Sequence, residues 1–462
     1  GGRKVGNISG YFVDRFGFSP DCILVPFTSD YLSTYLSLCP SPTDAVISFG
    51  PMDFMLTTAP LYLPNRLYTL FPHPAQDANE KRRYVAMLMS RNGDVPRALV
   101  RDMYTKSWSA FDRLVAIVPP GGSIGLDNKL FSFWHLQAEA FPFSHVKGIF
   151  RFETGIKVNE FRDLRGNPRC LLESQLLSFR VRYARMRASN LFFPANRAQQ
   201  STNLGSSLGL NFDPYSTSPL PRRLIATGAA ANFPSIVNLL GDVFNAPIYI
   251  PATQLDSAHS SPPGSNAPYS AAHRNAPAPG CASRAALGGA YLARWVWGRE
   301  RALHAGSAVS FEDEVKRLLT RRWNSQRNRV GGGSGPGTPS PAPYMQQQRS
   351  SGLGSTILVE EEEEEEEDVT GLMSNATAFR SGLGNGSSIG SEVSSSLTPT
   401  DSAATPSGVT PLTPVSAMAT GDGEAQLGWM KVADPDVDAF MAYASIVPEF
   451  VRLESMLIKS LV

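Results

Sequence analysis

At 462 residues, with 42% apolar and 10% aromatic side chains, the chain has enough material for two or three domains and a sizeable core. No apolar run reaches the ~18 residues a membrane-spanning helix needs. The formal net charge is +1, and nine acidic residues form one run, Glu360–Asp368. The remainder is mildly basic, which suits a phosphorylated ligand and is too diffuse for a nucleic-acid surface.

The chain opens GGRKVGNIS, without an initiating Met, an apolar h-region or a cleavage-site pattern. It therefore reads as starting inside a domain, with an upstream portion lacking. Gly10–Phe18 reads as the end of a helix and Cys22–Phe27 as a buried strand stopping at Thr28, Ser29 and Asp30. Asp44–Phe49 reads as a strand ended by Gly50, and Met52–Thr58 as its neighbour. Turns that end on small polar residues suggest loops gathered at one sheet edge, where sites lie. Leu67–Pro74 and Tyr84–Ser90 read as further strands.

Asp94–Trp108 reads as a helix with Pro96 in its first turn. Ser109–Val118 continues it with Phe111, Leu114, Val115 and Val118 on one face, and Pro119–Gly125 breaks it. Over Asn167–Arg187 the pattern predicts a helix capped by Asn167 and opened by Pro168, with a stripe of Leu171, Leu172, Leu176, Phe179 and Tyr183. Its Arg180, Arg182, Arg185 and Arg187 read as a solvated helix end. Ala188–Pro221 reads as a polar connection.

The organising unit is Arg223–Pro251, a strand, glycine turn, helix and strand. Leu224–Thr227 stops at Gly228, which is free to take positive φ. Asn232 is placed to cap the next helix and Pro234 to open it. Ile236, Val237, Leu239, Leu240, Val243 and Phe244 recur at helical spacing. A loop of small residues feeding a helix N-terminus offers backbone N–H groups to a phosphate or nucleotide, and more often serves plain α/β packing. Residues 257–280 read as an exposed Pro/Ser-rich loop. Arg284–Trp297 reads as a helix whose Gly288 and Gly289 permit close backbone approach. Residues 331–421 read as a disordered, acidic, Ser/Pro-rich insertion. Residues 426–462 recover order, with Asp438–Leu453 a closing helix. Cys22, Cys39, Cys170 and Cys281 lack CxxC or Cys/His spacing, which suggests reduced thiols, a cytoplasmic protein and no structural zinc. The six histidines read as surface or structural, and no residue is assigned to a metal.

Several blocks in order carry a family resemblance: GNISGYFVDRFGF, CILVPFTSD, AVISFGPMD, TKSWSAFDRL, GGSIGL, RCLLESQ, RLIATGAAAN with GDVFNAPIY, and ASRAALGGAYLA. Over about residues 1–300, and again in the closing WMKVADPDVDAFMAYASIVPEFVRLE, the chain resembles the FGGY carbohydrate kinases and, within them, the xylulose kinases. The resemblance implies an α/β, actin-like ATPase lobe of ribonuclease-H type, the C-terminal one of two, with the N-terminal lobe and its Asp-x-Gly-Thr strand missing. It implies ATP and Mg²⁺ as cofactors and D-xylulose as the substrate, phosphorylated at its terminal hydroxyl.

Under that resemblance Asp30 falls where the general base lies, and Tyr31 stands where the family carries a sugar-reading Asn. Gly50 falls in a phosphate loop, where Gly50-Pro51-Met52-Asp53 replaces the usual Gly-Thr-Ser. Trp108 falls near the adenine, while on the residues alone it reads equally as a core Trp. Gly228, Ala229 and Asn232 fall in the adenosine-binding stretch, and Gly121 and Gly122 in a turn near the nucleotide. Pro51 removes an amide donor from its loop, which leaves open a pseudokinase, a nucleotide-binding interaction protein or an inactive fragment.

Overall fold

The computed structural model describes residues 2–76, 80–122, 129–189, 191–192, 210–217, 221–254, 282–302, 309–330 and 420–459. The expected loop at 257–280 and the insertion up to residue 419 lie outside these, as do Cys281 and three of the histidines. The chain divides into a unit of residues 1–336 with 418–462 and a second unit, 337–417. Only the first is described below.

Its centre is a seven-stranded sheet. Three strands form an antiparallel meander: β3 (Ala45–Phe49), β4 (Asp53–Ala59) and β6 (Tyr84–Ser90), with β5 (Thr69–Pro72) outside β6. On the other side of β3 lies β10 (Leu224–Gly228), parallel to it, then β11 (Ile248–Pro251), parallel to β10, and finally β12 (Trp429–Ala433), antiparallel. The core order β6-β4-β3-β10-β11, with only β4 reversed, is the ribonuclease-H arrangement that the resemblance implied. Both inner strands read as continuous apolar runs because helices cover the sheet on both faces.

On one face lie α2 (Asp30–Leu38), α7 (Arg284–Ala302) and α8 (Phe311–Val330). Leu32, Tyr35 and Leu36 pack there with Leu292, Trp295 and Phe311 against Val46, Leu56 and Ile225. The close approach expected of Gly288 is present: a Cβ there would stand 1.8 Å from the Ser33 carbonyl oxygen. Against the other face lie α5 (Gly166–Ala188) and α6 (Pro234–Phe244), with the Tyr183 ring edge-on to that of Phe244. All six apolar positions expected to line α6 are buried. The last helix, α10 (Val437–Lys459), follows the short α9 (Thr420–Gln426) and closes this layer with Phe440, Tyr443, Ile446 and Leu453.

Several expectations need correction. Asp94–Trp108 is not one helix. It is α3 (Asp94–Val100), a π-helical turn over Arg101–Thr105 and a break at Lys106, whose φ is 59°, before α4 (Trp108–Ile117) begins under a Ser107 cap. Asn167 does not cap α5: the helix starts at Gly166, and the Asn167 side chain instead accepts from Arg151. Arg180 and Arg182 do not belong to a solvated end. They are 1% and 5% exposed, because α5 is sandwiched between the sheet and α10. Of Cys22–Phe27 only Ile23–Leu24 forms a strand, β2, paired with β1 (Gly6–Asn7), and Leu24 is exposed. The preceding helix, α1 (Gly10–Phe16), ends at a left-handed Gly17. A second, three-stranded sheet of β7 (Leu130–His135), β8 (Gly148–Glu153) and β9 (Ile156–Val158) had no expectation attached.

Candidate nucleotide site at the strand ends

Parallel pairing fixes the site. Phe49 faces Gly228 in the register of β3 and β10, so Gly50 and Gly228 stand side by side where the two strands end. Gly228 has φ +91°, and a Cβ there would lie 1.9 Å from the Phe49 carbonyl oxygen. Only glycine permits that approach.

The Gly50 loop is braced from beneath. The buried Asp53 carboxylate accepts from the Gly50 N–H at 3.1 Å and from both terminal nitrogens of Arg97 at 2.8 Å. Arg97 also donates to Asp94 and to the side chain of Gln175, and Gln175 in turn holds the carbonyls of Asn92 and Gly93. Burial alone would pull the Arg97 proton off, but Asp53 and Asp94 outweigh it and keep the guanidinium charged. Gly93 presses against this unit: a Cβ on it would meet the Gly50 oxygen at 2.3 Å. Asp53, Gly93 and Arg97 were not singled out from the sequence. A buried Asp beginning a strand, three residues after a glycine turn, was the available signal.

Beyond Gly228 the chain makes a 3-10 turn, Ala229–Asn232, before α6. Asn232 is not the helix cap, since Phe233 occupies that position and Pro234 opens the helix as expected. The Asn232 amide oxygen instead accepts from Gln254 at 2.8 Å. Trp108, half-buried at the start of α4, lies beside this turn with its ring 5.8 Å from that of Phe233 and Arg101 stacked over it. One turn along α4, Asp112 accepts from the backbone N–H and the hydroxyl of Ser235, tying the starts of α4 and α6 together. Burial pushes the Asp112 carboxyl up, against the pull of those two bonds.

Ala229 and Asn232 therefore follow directly on Gly228, beside Gly50, and Trp108 packs on Phe233 at the end of their turn. Asp30 comes from the opposite layer. It is the exposed first residue of α2, whose Ser29 cap accepts from the Leu32 N–H. Its link to the strand ends is Tyr31, whose ring packs on Phe54 at the start of β4 and on Phe71. The Gly121–Gly122 turn is held from inside: both Glu173 oxygens accept from the Gly121 N–H, and Glu173 also accepts from Arg169 and the Tyr443 hydroxyl.

No protein-family model matches the chain. Among curated proteins, the D-xylulose kinase A of Aspergillus niger is 27% identical over 343 residues, covering 71% of this chain and 49% of its own length. A probable D-xylulose kinase A of Aspergillus clavatus is 28% identical over 342 residues, with the same coverage. The chain is a relative of the D-xylulose kinases. It spans about half the length of the curated relatives it matches. Among solved structures, a xylulose kinase from Rhodospirillum rubrum superposes with a TM-score of 0.43 at 16% identity, over 68% of this chain and 49% of that one. A Plasmodium falciparum glycerol kinase with ADP gives a TM-score of 0.39 at 12% identity, over 71% and 54%. Among the described residues no helix is long and apolar enough to cross a membrane.

Proposed function

We propose that this relative of the D-xylulose kinases supplies the nucleotide-binding, C-terminal half of an ATP-dependent cytoplasmic kinase that converts D-xylulose to D-xylulose 5-phosphate. The adjacency of Gly50 and Gly228 at the ends of two parallel strands, with the Ala229–Asn232 turn following and Trp108 packed on Phe233, carries the reading. Crevices outside the carboxyl ends of parallel strands are where α/β sheets bind ligands. In the proposed assignment Gly228, Ala229, Asn232 and Trp108 hold the nucleoside, Gly50 lies against the phosphates, and Asp30 and Tyr31 meet the sugar. The lobe that completes the sugar site is not among these residues.

Asp30 takes the proton of the terminal hydroxyl as that oxygen bonds to the γ-phosphorus and the bond to the bridging oxygen breaks, releasing ADP. Phosphoryl transfer asks the protein chiefly for position and charge compensation, and an exposed carboxylate at a helix start fits the first task. Among the described residues no group of three or more His, Cys, Asp or Glu side chains is suited to a metal. Mg²⁺ bound with the nucleotide would supply charge neutralisation as the phosphoryl group moves. In the protein that contains this chain and its sugar lobe, Asp30→Ala is expected to lower kcat by about 10²–10⁴-fold with little change in the KM for ATP. Phosphorylation that survives the substitution removes Asp30 from the mechanism.

A second reading, nucleotide binding without transfer, is favoured by one observation. Pro51 has no N–H, and the Gly50 N–H is already bonded to Asp53, so the loop's first two residues bring no uncommitted amide to a phosphate. In the protein that contains this chain and its sugar lobe, ATP binding measured by calorimetry, with no ADP formed in the presence of D-xylulose, would establish that reading.

A further inference from the structure

The geometry points to Gln254 as the residue that sets the shape of the nucleoside turn, a positioning role that rests on the nucleotide reading above. Gln254 follows β11 in a short helical turn and reaches back to the end of β10. Its amide oxygen accepts from the Thr227 hydroxyl at 3.0 Å. Its amide nitrogen donates to the Gly228 carbonyl at 3.0 Å and to the Asn232 side-chain oxygen at 2.8 Å.

One side chain therefore ties the last residues of the strand to both ends of the 3-10 turn, the stretch that contains Gly228, Ala229 and Asn232. The chemistry demands an amide. A carboxylate could still accept from Thr227 but would face two oxygen acceptors with no proton to give, and an alkyl chain could do neither. The Gly228 carbonyl and the Asn232 amide would then lose a part-buried donor, and the turn would sample other geometries. Because Trp108 packs on Phe233, the next residue, a loosened turn also alters the wall against which a base would stack.

The test uses the full chain as wild type, Gln254→Leu and Gln254→Glu. Amide hydrogen exchange over residues 229–233 is expected to quicken by roughly tenfold or more in both variants, through loss of the bonds to Gly228 and Asn232 in Gln254→Glu and of the Thr227 bond as well in Gln254→Leu. Exchange in β3 and β4 should stay unchanged, which excludes general unfolding. The Kd for a fluorescent ADP analogue is expected to rise by roughly tenfold in Gln254→Glu. Unchanged exchange over 229–233 in both variants overturns the clamp, whatever the nucleotide does. Faster exchange with an unchanged Kd overturns its role in binding. A wild type that binds no adenine nucleotide sinks the nucleotide reading instead, and the exchange measurement still decides whether Gln254 holds the turn.

Discussion

At the scale of single residues, one backbone contact and one buried ion pair leave no latitude. Gly228 combines φ +91° with a Phe49 carbonyl oxygen 1.9 Å from where a Cβ would stand. Gly228→Ala must therefore part β10 from β3 and is expected to cost more than about 3 kcal/mol in urea unfolding. Arg97 is buried with two carboxylates on it, so Arg97→Leu strands Asp53 without its cation and should cost about 3–5 kcal/mol. Arg180 makes the opposite case. Among the described residues its sole hydrogen bond is to the Pro214 carbonyl, and two of its nitrogens are buried without a partner above the Phe440 ring. Burial alone lowers its pKa, to about 10. Arg180→Met keeps the volume and removes the unpartnered donors, so chemical unfolding should show stability unchanged or raised by about 1–2 kcal/mol.

At the scale of elements, α5, α10 and β7 line a partly open cavity of about 40 Å³, with His135, Arg182, Ser178, Phe450 and Glu454 among its walls. Burial pushes the Glu454 carboxyl up to about 7, against the pull of Arg185 and Arg182. His135, from β7, is held below its usual range by the same desolvation, with Glu139 partly opposing it. A carboxyl raised in the folded state binds its proton there first, so its contribution is fully present below its ordinary pKa of 4.5. It is lost as pH rises towards 7. Stability curves of wild type and Glu454→Gln should diverge across that window by up to ~3 kcal/mol, the wild type falling relative to the variant as pH rises. Parallel curves would show that Glu454 titrates normally.

The same pair of helices marks what could be read beforehand. The apolar stripe of α6 and the strands flanking Gly50 and Gly228 were legible because periodicity and glycine report local geometry directly. Arg180 and Arg182 of α5 were misread because charge on a helix end looks solvated until something packs over it, and Tyr443 of α10 lies 270 residues from Glu173 in the chain. The Gln254 clamp was invisible for a related reason. Nothing in a lone Gln after a strand tells that its amide turns back 22 residues to Asn232.

At the scale of the molecule, one unit is assembled from two separated stretches, residues 1–336 and 418–462. The later stretch supplies an edge strand to β11, and Tyr443 to the buried Arg169–Glu173 pair. A specific protease site placed between residues 337 and 417 and then cut should leave two fragments that elute together under native conditions and separate in denaturant. Fragments that part without denaturant would contradict this shared core.

That arrangement has a consequence during synthesis. While the ribosome is still translating the stretch before residue 418, β11 has an open edge and Arg169 and Glu173 lack the Tyr443 hydroxyl. The earlier residues must wait in that state for their final partners. Contacts closed over such sequence distances form late, so chaperone dependence should exceed that of a domain of equal size whose partners lie close in sequence.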